Sequence, residues 1–185
     1  NKIVISTKAD TPRKYSYSIN IDGAVTHCNI LVLPCLYELA KNRCHFIAEN
    51  QQYNNPKSKL DGAYLIYDNE EKHIYYNREY DFNGGRERVG MGVLIAKYLQ
   101  NHDDEVLLNS LKKYIKYVQK NLVCIETGEV FNDCNYDNSF TRLYNYPWFS
   151  LFYIELYKLF GDKNMLEIAY KIMLFFYNQG GEHFY

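Results

Sequence analysis

The sequence predicts a mainly α chain of antiparallel helix hairpins stacked in series, with short β-hairpins in the connectors. Three observations carry this. From Gly85 onward apolar residues recur at helical spacing. Helices that are apolar on nearly every side alternate with helices that carry one apolar stripe. The two resulting pairs also align at a shift of 59 residues, Tyr98, Asp103, Val106 and Leu107 matching Tyr157, Asp162, Met165 and Leu166. A single hairpin cannot cover its own inner helix, so a repeat of this kind implies stacking.

The elements follow in order. Residues 1–23 form an N-terminal strand region: in Lys14 to Ile21, Tyr15, Tyr17, Ile19 and Ile21 alternate with Ser16, Ser18 and Asn20, the period of a half-buried strand. Ile3 to Ile5 is expected to pair with it, and Asp22-Gly23 ends it. Residues 24–60 are read as a first helical hairpin, with a helix in Cys28 to Ala40 begun or kinked near Pro34 and a shorter one in Cys44 to Gln52. Residues 61–84 make a β-hairpin connector, Ala63 to Tyr67 against His73 to Asn77 around Asp68-Asn69-Glu70-Glu71.

Residues 85–122 are a second helical hairpin. Its first helix, with Met91, Val93, Leu94, Ile95, Ala96, Tyr98 and Leu99, is expected to be buried all round. Its second has a stripe of Leu107, Leu111, Tyr114, Ile115, Val118 and Leu122 opposite Glu105, Asn109 and several lysines. Residues 123–145 are a connector, and 146–180 a third hairpin of Phe149 to Phe160 and Lys163 to Asn178, all within one domain of 1–185. Gly90 and Gly92 inside the helical pattern suit close helix approach.

Composition narrows the function classes. A net charge of −1 with no Lys/Arg block leaves no footprint for nucleic acid or an anionic membrane, although one anionic group in a pocket is compatible with it. No apolar run approaches the ~18 residues of a membrane span, so the chain reads as soluble without membrane insertion. The start at Asn1 is read as processed or excised, which leaves cytoplasmic and exported locations both open. Five cysteines without a CxxC pair read as reduced, partly core-filling thiols. The 20 Tyr and 10 Phe suit either helix interfaces or sugar stacking.

The segments GGRERVGMGVLIAKYLQNHDD, ETGEVF at 126 to 131 and YPWFSLFYIELYKLFGDKN at 146 to 164 resemble the six-hairpin, (α/α)6 toroids of carbohydrate-active enzymes: glycoside hydrolases, helical domains of polysaccharide lyases, and sugar epimerases. Two or three hairpins are part of such a ring. The Cys/His signatures of lanthionine cyclases and the Asp-rich motif of terpene cyclases are absent. The resemblance implies that the connectors entering the inner helices gather on one rim, and that the partner is an oligo- or polysaccharide.

On that rim the resemblance collects Asp22 and His27; Asp81, Arg86, Glu87 and Arg88; and Glu129, Asp133, Asp137, Arg142, Tyr144, Tyr146 and Trp148. The first reading is a glycoside hydrolase, on uronate-containing sugars if the arginines bind an acid, with a lyase or epimerase as the alternative. Hydrolysis needs two carboxylates, for which Glu87, Asp133 and Asp137 are the candidates. A lyase or epimerase needs a base to take the proton beside a carboxylate, for which Tyr144, Tyr146 and His27 serve. A non-catalytic glycan- or protein-binding module is the third reading. Cations at a helix start are disfavoured by a few tenths to about 1 kcal/mol. Either Glu87 and Asp81 therefore neutralise Arg86 and Arg88, or these arginines, with Arg142, grip a carboxylate or sulfate. Trp148 and Tyr146 are the candidate sugar-stacking platform.

No metal or cofactor is expected. Asp133, Asn135 and Asp137 match the start of a calcium loop, but Asn138 stands where Gly belongs and Tyr144 where Glu belongs. His27-Cys28 and Cys44-His45 lack zinc spacing, and no phosphate loop or dinucleotide fingerprint is present. The oligomeric state stays open.

Overall fold

The structure, a computed structural model, describes residues 4, 6, 8, 10–75, 79–139 and 142–183. It divides into two compact units, Asn1–Lys41 and Asn42–Tyr185.

The first unit is built on one hairpin, β1 (Arg13–Ile21) with β2 (Ala24–Val32). The strands are antiparallel, with Tyr17 opposite Cys28 and Ser18 opposite His27. Asp22 and Gly23 both have positive φ, 51° and 85°, the two-residue turn whose twist matches that of the flanking strands. That turn corrects the sequence reading of residues 24–60 as a helical hairpin. An Asp-Gly turn sends the chain straight back along β1, so residues 24–32 exchange backbone hydrogen bonds with it instead of starting a helix. The proposed pairing of Ile3 to Ile5 lies outside the described residues.

Helix α1 (Leu36–Phe46) begins after Pro34 and continues as one π turn through Gln51, merging two expected helices. The hairpin of the next connector is shorter than expected, β3 (Tyr67–Asp68) against β4 (His73–Ile74), and Asn77 lies outside the described residues. Asp68 Oδ1 accepts from the amides of Glu70 and Glu71 at 2.8 and 3.0 Å, and these two bonds lower its pKa.

The second unit is carried by α2 (Val89–Leu99), α3 (Glu105–Asn121), α4 (Tyr146–Phe160) and α5 (Lys163–Asn178). Helix α2 packs on both α3 and α4, and α4 packs on α5, so two helix hairpins share an interface through α2 and α4. Leu107, Leu111, Tyr114 and Val118 of the α3 stripe are buried as its period predicts, while Lys112, Lys113, Lys116 and Lys120 are exposed. Helix α2 is buried on most of its surface, with Gly90 and Lys97 facing out.

Asp104 caps α3 by accepting from the Leu107 amide, and Asp162 caps α5 by accepting from the Asn164 amide, both at 3.0 Å. The caps stand 58 residues apart by number, so the repeat slips by one at the inter-helix turn. His45 Nε2 also bonds Asp104, at 2.8 Å, tying the end of α1 to the start of α3. The core is aromatic: Tyr64 stacks on Tyr114 with centroids 4.3 Å apart, and Tyr114 meets Phe152 edge-on. Much of the tyrosine content therefore fills helix interfaces.

Candidate functional site

The connector before α2 is folded tightly on itself. A Cβ on Gly85 would lie 2.3 Å from Asp81 Cα and 2.4 Å from the Asn132 carbonyl oxygen, so only glycine lets the chain pass. The crowding lets the Arg86 amide donate to Asn132 O (3.1 Å) and the Glu87 amide to Asp81 O (2.8 Å). Buried Tyr117 donates its hydroxyl to Gly84 O from beneath. A 3-10 turn, Arg86–Arg88, then leads into α2.

This geometry gathers side chains that are distant in sequence. Arg86 is fully buried, with Nη2 3.6 Å from Asp81 Oδ2. Arg142 Nη1 reaches the same oxygen at 3.1 Å and forms a close ion pair with Glu87. The same nitrogen donates to the Tyr144 hydroxyl oxygen at 3.1 Å. The Tyr144 ring meets Trp148 edge-on at 5.7 Å. Burial, the largest effect, lowers the Arg86 pKa, and Asp81 opposes it. Asp81 and Glu87 thus neutralise Arg86 and Arg142, not the Arg86 and Arg88 of the first sequence alternative, and among the described residues Arg88 takes part in no ion pair.

Beside this cluster, between the starts of α2 and α4, lies a cleft of about 340 Å³ lined by Glu87, Val89, Gly90, Val93, Trp148 and Leu151. An exposed indole above an apolar wall, with a carboxylate and a tyrosine at one edge, has the amphipathic character of a sugar-binding surface.

Other expected site residues have other surroundings. Tyr146 is 1% exposed, its ring stacked on Phe175 and its oxygen accepting from the Val130 amide, so it is a core residue and not a stacking platform. The reason is helical phase: the start of α4 turns Tyr146 and Phe149 inward and Trp148 outward. His27 sits on β2 in the first unit, 3.1 Å from Ser18 Oγ.

Asp133 and Asp137 are taken up in turns. Asp133 Oδ1 accepts from the Asn135 amide at 2.8 Å, and Asp137 accepts from the Ser139 amide and hydroxyl and from Asn132 Nδ2. Burial raises the Asp133 pKa, whereas hydrogen bonds led by the Ser139 amide lower that of Asp137. The carboxylates that resembled a calcium loop therefore close Asx-type turns. Among the described residues no group of three or more His, Cys, Asp or Glu is arranged to hold a metal ion.

Asn145 was not among the sequence candidates. It lies between Tyr144 and Tyr146, is fully buried, and among the described residues neither its side-chain Nδ2 nor its Oδ1 has a hydrogen-bond partner. No periodicity or spacing marks such a residue, because its distinction is a tertiary one.

Among solved structures this chain is similar to a polysaccharide lyase, with a TM-score of 0.83 and 32% identity over 92% of this chain and 26% of that one. The chain spans about a quarter of the length of that structure. No protein-family model matches the sequence, and no curated protein matches it. The likeness supports the fold of a carbohydrate-active enzyme, and within that class the neighbour is a lyase.

Proposed function

We propose that this chain carries part of the active surface of a polysaccharide lyase acting on uronate-containing chains, its helix hairpins forming a segment of an α/α toroid. The observation that carries the reading is the 32% identity to a polysaccharide lyase across 92% of the chain, with the Arg142–Tyr144–Trp148 cluster beside the α2–α4 cleft.

Elimination requires removal of the proton on the carbon beside the sugar carboxylate and departure of the glycosidic oxygen, leaving a C=C bond conjugated to the carboxylate. Tyr144 supplies the acid–base group. Arg142 is a positioning residue: it fixes the Tyr144 oxygen and is itself held by Asp81 and Glu87. Trp148 offers its face to a sugar ring.

Hydrolysis is the second reading, favoured by the opposite pKa displacements of Asp133 and Asp137, the pattern expected of an acid and base pair. Weighing against it, both carboxylates already accept backbone amides. Digestion of uronate-containing and neutral polysaccharides, read by ultraviolet absorbance and product mass, tests the choice. A lyase yields ultraviolet-absorbing fragments from the acidic polymers only. Products that have gained water and show no new absorbance support hydrolysis, and an inverted sugar in an uncut chain supports epimerisation.

A further inference from the structure

A second cleft, of about 220 Å³, flanks the start of α2 on the side of Arg88 and Met91, away from the Gly90 and Val93 side that faces Trp148. Arg43, Gln51, Tyr67 and Asn69 complete the part of its lining that concerns charge and polarity. Among the described residues two arginines and no carboxylate line it, and neither Arg43 nor Arg88 takes part in an ion pair. The contrast with Arg86 and Arg142 is direct, since those two are neutralised by Asp81 and Glu87.

Two buried polar atoms belong to residues of this cleft and have no hydrogen-bond partner among the described residues. One is the Arg88 Nε–H donor. The other is Gln51 Oε1, on a side chain that is 3% exposed and whose Nε2 donates to Leu65 O at 2.8 Å. Unsatisfied buried groups of this kind are few in folded proteins, and bound water or ligand is a recurrent reason for them. Gln51 closes the π turn that extends α1, and π turns are often found at functional sites. The Arg43 guanidinium lies over the Phe46 ring, its carbon 5.4 Å from the centroid, and that ring in turn meets Tyr67 edge-on.

We infer that this second cleft is a binding site for one anionic sugar unit, with Arg43 and Arg88 holding a carboxylate or sulfate and Gln51 Oε1 accepting a hydroxyl. The charge and the orphaned donor and acceptor define the ligand chemistry. That the anion belongs to a polysaccharide rests on the lyase reading above.

The test measures equilibrium binding to the full chain carrying Tyr144→Phe, so that turnover does not intervene. The probes are glucuronic acid, sodium sulfate and glucose. Glucuronic acid and sulfate are expected to bind and glucose not to. Arg43→Gln and Arg88→Gln should each weaken both anions by about 10- to 100-fold, the usual worth of a charge-assisted hydrogen bond. Gln51→Met should weaken glucuronic acid while sparing sulfate, with thermal melting confirming a folded protein. Equal binding of glucose, anion binding unchanged in both arginine variants, or no anion binding at all overturns the inference. Sulfate binding that responds to the arginines while glucuronic acid does not bind overturns the sugar assignment. A chain that binds acids here yet releases products that have gained water and carry no new absorbance refutes the lyase reading and leaves the cleft standing.

Discussion

Arg142 pairs with Glu87 across 55 residues of sequence, and the same guanidinium nitrogen donates to Tyr144 two residues away. The pair joins the connector before α4 to the turn before α2, and makes the position of Tyr144 depend on both hairpins. Tyr144→Phe is expected to lower kcat by about 100-fold or more, the usual share of an acid–base group. Arg142→Gln should lower kcat with KM little changed. Its side chain is about a third exposed, so solvent screens its ion pairs and the melting temperature should fall by no more than about 4 °C. A variant that melts far lower would assign Arg142 to the fold and not to the chemistry.

Asp133 provides a pH-dependent test. Burial, the leading effect, raises its pKa, so its contribution to stability is present below the ordinary carboxylate range and lost as pH rises through the raised value. Asp133→Asn keeps an acceptor for the Asn135 amide and removes the buried charge. Its melting temperature should exceed that of the parent at pH 7, with the gap closing towards about pH 4. Unchanged polysaccharide cleavage by this variant accords with elimination, and its loss points to hydrolysis.

The two helical glycines should respond in opposite senses to alanine. A Cβ at Gly92 would lie 2.6 Å from Tyr114 Cε1 and 2.8 Å from Phe152 Cε2, whereas one at Gly90 meets nothing within 4 Å. Gly92→Ala is expected to destabilise by about 1–3 kcal/mol through overpacking. Gly90→Ala should stabilise by about 0.5–1 kcal/mol through helix propensity. Chemical denaturation reads both.

Thiol labelling separates the cysteines. Burial pushes Cys44 and Cys134 up to about 11, so both stay protonated and shielded at pH 8. Cys28 and Cys35 are exposed. Labelling of the native protein should modify these two first and reach Cys44 and Cys134 only on unfolding, as followed by peptide mass mapping.

Asn145→Leu removes a buried side-chain amide whose two polar atoms have no partner among the described residues. If the residue serves only the fold, this change is neutral or stabilising, because an unsatisfied buried group costs about 1–3 kcal/mol. The expected outcome is a melting temperature at or above that of the parent together with lost cleavage, which would mark Asn145 as a group kept for function.

The helix hairpins from Gly85 onward were legible because burial on one face or on all faces leaves a periodic record in the sequence. The carbohydrate-active reading rested on the resemblance of the segments Gly84 to Asp104, Glu126 to Phe131 and Tyr146 to Asn164. Residues 24–32 misled because Val25, Ile30, Leu31 and Val32 suit a strand as well as a helix, and the Asp22-Gly23 turn, a local backbone feature, decided between them.

The resemblance to the toroids collected Glu87, Arg142, Tyr144 and Trp148 as candidates, but that Arg142 spends its charge on Asp81 and Glu87 while Arg88 lines one cleft with Arg43 depends on which way each turn points its side chains. Periodicity records whether a residue is inside or outside. Which charges meet across connectors some 50 residues apart is settled only when the packing of α2 on α3 and α4 brings those connectors together.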